Sequence, residues 1–208
     1  MLHNPEATRA ALDILRSGKP FQWYVITLLA LTIYVYLNEI SKKNWKGIAA
    51  GLSLYMVHWH AEIVNALIQH FTGHALWTVP CGTAFLLLVG VGVEINLMFA
   101  IAGLAFSKVL PNDPKEKILG INNRLFFALV NAAIFAIAEI FLVKTPTFVW
   151  VYPWWGALPV FLTVYIPFFV VSFYCYDCRP RTQFITISTM AFINIIALVL
   201  FAGILKWI

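Results

Sequence analysis

The stretch VHWHAEIVNALIQHFTGH, residues 57–74, places polar side chains inside a long apolar segment. It contains four of the five histidines of the chain, together with a glutamate and an asparagine. The apolar character extends back to residue 46, so the segment is long enough to cross a bilayer, which takes about 20 residues. Because polar side chains are costly against lipid, this segment predicts a helical bundle with a polar interior.

The composition extends this prediction to the whole chain. Of its 208 residues, 62% are hydrophobic and 11% are charged, and the mean hydropathy is +0.84. These values exclude ordinary soluble globular proteins. We therefore predict an all-α, polytopic membrane protein that contacts the lipid bilayer and binds no nucleic acid.

Six apolar segments are long enough to span the membrane. They lie near residues 21–39, 46–70, 78–107, 121–143, 149–176 and 184–207. Ahead of them, Asn4 and Pro5 are typical of a helix start, and four apolar residues of ATRAALDILR, residues 7–16, lie along one side: Ala7, Ala11, Ile14 and Leu15. This pattern predicts a short N-terminal helix at the membrane interface. We find no repeat and no linker, so residues 1–208 are predicted to form a single domain.

Basic residues in the connections predict the orientation of the bundle. Nine of them follow the first, third and fifth spans: Lys42, Lys43, Lys46, Lys108, Lys115, Lys117, Arg124, Arg179 and Arg181. The remaining five lie in the other connections or near the ends of the chain. Because positively charged connections stay in the cytoplasm, we predict non-cytoplasmic termini in a plasma or inner membrane.

Three glutamates, Glu62, Glu94 and Glu139, lie within the predicted spans and lack an obvious basic partner at similar depth. With a rise of about 1.5 Å per residue, all three lie roughly 20 to 24 Å from the basic connections. A carboxyl group in a low dielectric favours its protonated form and can then donate a proton. We therefore predict that these three glutamates are catalytic, although hydrogen bonding between helices is the alternative interpretation.

Other polar residues share helix faces with these carboxyls. His58 and Asn65 continue the stripe of Glu62 at helical spacing, and Asn131 lies on the same face as Glu139. Polar stripes inside a membrane bundle line a site or join helices by hydrogen bonds. We predict that His58, Asn65 and Asn131 bind substrate and orient the carboxyls.

The chain is rich in aromatic residues near the predicted outer ends of its late spans. Trp154 and Trp155 belong to this group, which is typical of an interfacial aromatic belt. The alternative is a pocket in which aromatic faces stabilise a cation. We predict on this second basis that Trp154 and Trp155 also bind substrate.

The histidines allow a different interpretation. His58 with Glu62, and His70 with His74, are pairs one helical turn apart that can share a metal ion. His58 and His60 point to different faces of the helix, which weakens a shared site. We predict no metal and no cofactor for the leading function, and a histidine-ligated membrane metalloprotein stays open as an alternative.

The motif Glu62-Ile63-Val64, which follows a span and a short basic turn, resembles the small membrane-bound terpene cyclases of fungal meroterpenoid and indole-diterpene pathways. In that family a Trp-Glu-(Ile/Phe)-Val-Tyr motif carries a glutamate thought to act as an acid. Ala61 and Asn65 replace its tryptophan and tyrosine here, and the family has seven spans and a late aspartate. The resemblance implies that Glu62 is a proton donor.

A second pattern, His58 and Glu62 with Glu94 on the next span and a tryptophan-rich late span, resembles the emopamil-binding protein family of sterol isomerases. That family has five spans, and its late-span asparagine has no clear counterpart near Trp154. Both resemblances imply a helical bundle that transfers protons to isoprenoid or polycyclic substrates.

These residues and resemblances together predict an integral membrane isomerase or cyclase. It would transfer protons to a hydrophobic small-molecule substrate, an isoprenoid or sterol-like lipid. A small transporter, or an accessory subunit of a membrane complex, is the alternative in which the carboxyls form a proton or cation path.

Overall fold

Helices dominate the computed structural model, which describes residues 4–208. Residues 1–3 of the predicted domain lie outside this range. Within the described residues there are seven helices: α1 Pro5–Ile14, α2 Tyr24–Ser41, α3 Trp45–Thr72, α4 Val93–Ser107, α5 Asn123–Leu142, α6 Ala157–Asp177 and α7 Pro180–Ile204. The predicted helical class is confirmed.

Four of the seven helices in residues 4–208 are long and apolar enough to cross a membrane, namely α2, α5, α6 and α7. Helix α3 has 28 residues, but the polar residues of its central stripe lower its hydropathy. Helix α4 is apolar and has only 15 residues. The four candidate spans agree with the prediction of a membrane protein.

The prediction of one helix over residues 78–107 is wrong. Helix α4 begins at Val93, and the preceding chain forms strands β1 Trp77–Thr78, β2 Leu86–Leu88 and β3 Val91–Gly92. Pro80 cannot donate a backbone hydrogen bond, and Gly82 has a φ of 73°, which helices do not use. The chain therefore turns at this point, and β2 pairs with β3 in an antiparallel hairpin.

The predicted fifth span, residues 149–176, also begins later than expected. Its first residues form strand β6 Val149–Trp150, which pairs with β1, and helix α6 starts at Ala157. Strands β4 Lys117–Ile118 and β5 Ile121–Asn122 form a separate hairpin before α5. The other spans begin and end within a few residues of the prediction.

Ion pairs bring the basic connections to one end of the bundle. Lys108 Nζ lies 2.6 Å from Glu39 Oε1, joining the ends of α4 and α2. Arg124 Nε lies 2.6 Å from Asp177 Oδ2, joining the start of α5 to the end of α6. We call this end, which carries the nine basic residues, the basic end.

The opposite end carries a cap, made of α1 and residues 15–23, 73–92, 143–156 and 205–208. Arg16 N donates a hydrogen bond to Leu86 O at 2.9 Å, which ties the chain after α1 to the β2–β3 hairpin. Thr8 and Ala11 of α1 are buried. Helix α1 thus packs against protein, and its location at the membrane interface stays a prediction.

Helix α3 lies at the centre of the bundle, against α4, α6 and α7. It lies very close to α4. A Cβ added to Gly103 of α4 would be only 2.4 Å from Ala50 O of α3. Small residues permit such close approach between membrane helices. The same Ala50 O accepts a hydrogen bond from Ser172 Oγ of α6 at 2.9 Å.

Candidate functional site

Glu62 of α3 and Glu139 of α5 line one internal cavity, and each residue is 5% exposed. The cavity, called here the acid cavity, has a volume of about 50 Å³. His58 also lines it, together with apolar residues from α4, α5 and α6. Five aromatic residues also line it: Trp77, Phe99, Phe148, Tyr165 and Phe168.

Each of the two carboxyls accepts hydrogen bonds from aromatic side chains. Trp77 Nε1 donates to Glu62 Oε1 at 3.2 Å and to Oε2 at 3.3 Å. Trp150 Nε1 donates to Glu139 Oε1 at 2.5 Å, and the Tyr165 hydroxyl donates to Glu139 Oε2. Within residues 4–208, neither carboxyl forms an ion pair with a basic side chain.

The two tryptophans are neighbours in the cap. Trp77 of β1 stands opposite Trp150 of β6 in the antiparallel register. Side chains at directly opposite positions project from the same face of a ladder. One strand pair therefore presents two indole N–H groups, which contact Glu62 and Glu139 on different helices.

Asn65 fixes Trp77 beside Glu62. Its Oδ1 accepts hydrogen bonds from Leu76 N at 2.8 Å and from Trp77 N at 3.4 Å, and its Nδ2 donates to Trp77 O at 2.9 Å. Gly90 of the β2–β3 hairpin covers this cluster so closely that a Cβ there would lie 2.7 Å from Glu62 Oε2. Asn65 is therefore a structural clamp on the connection after α3.

His58 gives the acid cavity a free hydrogen-bonding position. The side chain is 1% exposed and stacks on Phe99, with ring centroids 4.3 Å apart. Its Nε2 has no hydrogen-bond partner in the described part of the chain. Buried polar atoms without partners are rare in native proteins, so this nitrogen can bind a polar group that enters the cavity.

Glu94 lies outside the acid cavity. Its carboxyl accepts hydrogen bonds from Ala84 N at 2.7 Å, from Thr83 Oγ1 at 2.6 Å and from the Tyr24 hydroxyl. These contacts hold the chain before β2 against the first turn of α4. The structure thus brings together two of the three predicted carboxyls.

The other predicted substrate-binding residues, Asn131, Trp154 and Trp155, do not line the acid cavity. Asn131 is buried on α5. Trp154 is 60% exposed. Trp155 is buried and stacks on Trp77, with ring centroids 5.5 Å apart.

A larger groove adjoins the acid cavity between α3 and α6. This lateral groove has a volume of about 420 Å³, and Asn65 and Trp155 contribute to its otherwise mainly apolar lining. Three side chains line both spaces and separate them: Trp77, Val164 and Phe168. The groove falls within the size range of small-molecule sites, about 300 to 1,000 Å³.

The sequence pattern does not identify Trp77, Trp150 and Tyr165 as partners of the glutamates. The placement of Trp77 and Trp150 near span ends is typical of an interfacial belt, and no pattern singles out Tyr165 within the predicted fifth span. These contacts could have been inferred only from chemistry, because buried indole and phenol groups require hydrogen-bond partners. The glutamates without basic partners are the natural acceptors.

The remaining described histidines lie apart from one another. His60 Nδ1 lies 3.3 Å from Asn194 Oδ1, and His70 stacks on Trp207 with ring centroids 4.7 Å apart. In residues 4–208, no three His, Cys, Asp or Glu side chains form a group able to hold a metal ion. This geometry does not favour the histidine-ligated alternative.

Comparison with known proteins places the chain among membrane proteins. Residues 5–203 match the family described as "Uncharacterized membrane protein family". A protein of Archaeoglobus fulgidus, described as "Uncharacterized protein", is 44% identical over 209 residues, which cover 98% of this chain and 99% of that protein. No solved structure matches the chain.

These matches give no support to the resemblances to terpene cyclases or to the emopamil-binding protein family, which stay predictions. The family match extends over residues 5–203 and therefore includes all seven helices except the last residue of α7. Together with the four candidate spans, it identifies an integral membrane protein. The chain belongs to this uncharacterized membrane protein family.

Proposed function

We propose that this protein is an integral membrane isomerase or cyclase that transfers a proton to an isoprenoid or sterol-like lipid. The observation that carries the proposal is that Glu62 and Glu139 line one small, mainly apolar cavity without a basic partner in the described residues. Two carboxylates in such a low dielectric repel each other. The pair therefore holds a proton, which is available for acid catalysis.

The aromatic lining of the acid cavity suits a positively charged intermediate. Transfer of a proton from Glu62 to an alkene carbon forms a C–H bond and leaves a carbocation. Ring faces such as those of Phe99 and Phe168 stabilise a cation. Glu139 then accepts a proton from a neighbouring carbon, so the product is an isomer of the substrate and no cofactor is consumed.

The substrate needs more space than the acid cavity has. An isoprenoid is far larger than about 50 Å³, which is room for about three water molecules. The lateral groove, at about 420 Å³, holds the hydrocarbon in this proposal. Its reactive end reaches the carboxyls when Val164 and Phe168 move.

We extend the proposal to six membrane crossings, with α3 and α4 added to the four candidate spans. Helix α3, with 28 residues, is roughly 42 Å long, and its polar stripe faces protein. Helix α4 is shorter and crosses together with the chain of residues 77–92, whose strands β1, β2 and β3 pair through backbone hydrogen bonds within the cap. The basic end faces the cytoplasm, and α1 lies at the opposite membrane surface.

The transporter and accessory-subunit alternative uses the same carboxyls as a proton path. A path would have to continue from the acid cavity to the basic end. Three large apolar side chains that lie in between, Leu54, Leu104 and Phe169, are buried. This arrangement favours the enzyme.

The proposal is tested by mass spectrometry of membrane lipids from cells that produce wild type, Glu62→Gln or Glu139→Gln. Glu116→Gln is the matched control, because this carboxyl is exposed at the basic end. We expect one apolar lipid with wild type and the control, and accumulation of an isomer of identical mass with the two active-site variants. Identical lipids from all four proteins, all present in the membrane at equal amounts, would contradict the proposal.

A further inference from the structure

His60 lines the lateral groove, and the proton transfer proposed above does not use it. His60 is exposed, whereas His58, on another face of α3, lines the acid cavity. Polar side chains on the outer surface of a membrane-crossing helix are costly against lipid. The position of His60 therefore indicates a polar contact that only a neighbouring helix or a ligand can supply.

Asn194 of α7 determines which ring nitrogen of His60 carries the hydrogen. Asn194 Nδ2 donates a hydrogen bond to Met56 O at 2.8 Å, so Oδ1 of the same amide is left as an acceptor. An amide turned the other way would place its oxygen against Met56 O, and two acceptors do not bond. Asn194 Oδ1 lies 3.3 Å from His60 Nδ1, which must therefore donate. In the neutral ring, Nε2 then carries the free lone pair.

The contact with Asn194 does not use the whole imidazole. Within residues 4–208, the His60 side chain forms no other hydrogen bond. Asn194 joins α7 to α3 through Met56 O, so the link between these helices does not require an imidazole at position 60. The lone pair of Nε2 has no water to bind inside a bilayer. A donor group on a ligand in the groove would satisfy it.

The walls near His60 suit an apolar ligand with one polar group. Three aliphatic residues of α3 line the groove beside it: Val57, Ala61 and Val64. The Asn65 and Thr163 side chains also line the groove, but they already bond to backbone groups. A second space of about 190 Å³ lies between α3 and α7 and is lined by His60, Met190, Ile193 and Asn194. His60 thus lies where two mainly apolar spaces meet.

Trp155 gives the groove a second polar group without a partner. Its side chain is 7% exposed, and its Nε1 has no hydrogen-bond partner in the part of the chain that the structure describes. Buried indole N–H groups usually have a partner. His60 therefore offers an acceptor and Trp155 a donor to the same groove. A hydroxyl group is complementary to both, because it donates and accepts.

We infer that the lateral groove binds a lipid alcohol, whose hydroxyl group donates a hydrogen bond to His60 Nε2. The inference rests on the proposed function and narrows its substrate to an isoprenoid or sterol-like lipid that carries a hydroxyl group. His60 and Glu62 are two residues apart on α3, a rise of about 3 Å. The hydroxyl group and the carbon that receives the proton therefore lie at a similar depth in the membrane.

Binding of geranylgeraniol and of its methyl ether to the detergent-purified protein tests this inference. The ether keeps an oxygen that can accept from Trp155, but it lacks the hydrogen that His60 accepts. The comparison therefore isolates the contact with His60. Titrations are followed by tryptophan fluorescence, since Trp77 and Trp155 line the groove.

We expect wild type to bind the alcohol about 5- to 10-fold more tightly than the ether, as for one hydrogen bond. His60→Phe should bind the two probes with equal affinity, because the acceptor is gone and the apolar walls remain. His70→Phe is the matched control and should keep the preference, since His70 is an exposed histidine of the same helix outside the groove.

Three results would overturn the inference: equal affinity of wild type for the two probes, no binding of either probe, or a full preference for the alcohol in His60→Phe. If His60→Phe does not fold, His60→Leu takes its place, and the wild-type comparison needs no variant. The titration requires no turnover, so it is independent of the lipid profiles that test the proposed function. Unchanged profiles with the preference intact would refute only the catalysis, and the opposite pattern would refute only the binding of a lipid alcohol.

Discussion

Trp77 and Trp150 stand opposite each other in the β1–β6 ladder, and each donates its indole N–H to a different buried glutamate. The ladder therefore fixes Glu62 of α3 relative to Glu139 of α5. A membrane bundle held only by apolar packing would not specify this relation between two polar groups. The pairing in the cap gives the acid cavity its geometry.

Removal of the Trp77 donor should destabilise the protein. Trp77→Phe keeps an aromatic ring against Trp155 but leaves the buried Glu62 carboxyl without its indole partner. We expect the free energy of unfolding in detergent to fall by about 1 to 3 kcal/mol. Trp154→Phe is the control, since Trp154 is 60% exposed, and its effect should stay within about 0.5 kcal/mol. Equal stability of the two variants would show that the Trp77–Glu62 contact is not formed.

The clamp formed by Asn65 gives a second prediction. Asn65→Ala removes hydrogen bonds to the backbone of Leu76 and Trp77 and leaves buried groups without partners. We expect a loss of about 2 to 4 kcal/mol in chemical unfolding. Asn131→Ala is matched in residue type and burial, but the Asn131 amide nitrogen has no partner in the described residues. Its cost should be smaller by at least about 1 kcal/mol, and the reverse order would refute the clamp.

Because α3 packs closely against α4, we predict that Gly103 does not tolerate a larger side chain. The Cβ of Gly103→Ala would lie 2.4 Å from Ala50 O, so the helices must separate. We expect a loss of about 1 to 3 kcal/mol in thermal or chemical unfolding. Gly203→Ala lies in α7 with no atom within 4 Å of the new Cβ, and it should be nearly neutral. A neutral effect at both positions would contradict the helix contact.

Cysteine labelling tests the orientation of the bundle. Cys81 is exposed in the cap, whereas Cys178 is partly exposed at the basic end. In variants that keep one cysteine each, a membrane-impermeant maleimide should label Cys81 in intact cells and Cys178 only after permeabilisation. Cys175 is buried and should stay unlabelled in both conditions. Labelling of Cys81 and Cys178 from the same side would contradict the proposed crossings.

Much of the helical architecture follows from the apolar runs of the sequence. Helices α2, α3 and α5 lie close to their predicted bounds because each run ends at polar or basic residues. The third and fifth spans are misplaced at their starts because hydropathy does not separate an apolar hairpin from a helix. Leu86–Leu88 is as apolar as any helical segment, and only its pairing with Val91–Gly92 marks it as a strand.

The candidate site could be predicted only in part, because residue counts give the depth of a side chain but not its direction. Depth along the helices, estimated from residue counts, puts Glu62, Glu94 and Glu139 at one level, and the structure places Glu62 and Glu139 on one cavity. Depth alone does not fix the direction of a side chain around the helix axis. Glu94, which the residue count puts at the same level, contacts Thr83 and Ala84 instead. The indole donors come from strands whose pairing is a long-range contact, which local patterns do not reveal.

The most direct measurement is solvent deuterium incorporation by the purified protein. Lipids extracted from cells that produce Glu62→Gln contain the accumulated precursor and are incubated with each protein in D₂O. Wild type and Glu116→Gln should form an isomer that carries one deuteron from solvent, because the proton of the Glu62–Glu139 pair exchanges with water. Glu62→Gln and Glu139→Gln should form none. A product without deuterium, or conversion by Glu62→Gln at the wild-type rate, would contradict proton transfer by this carboxyl pair.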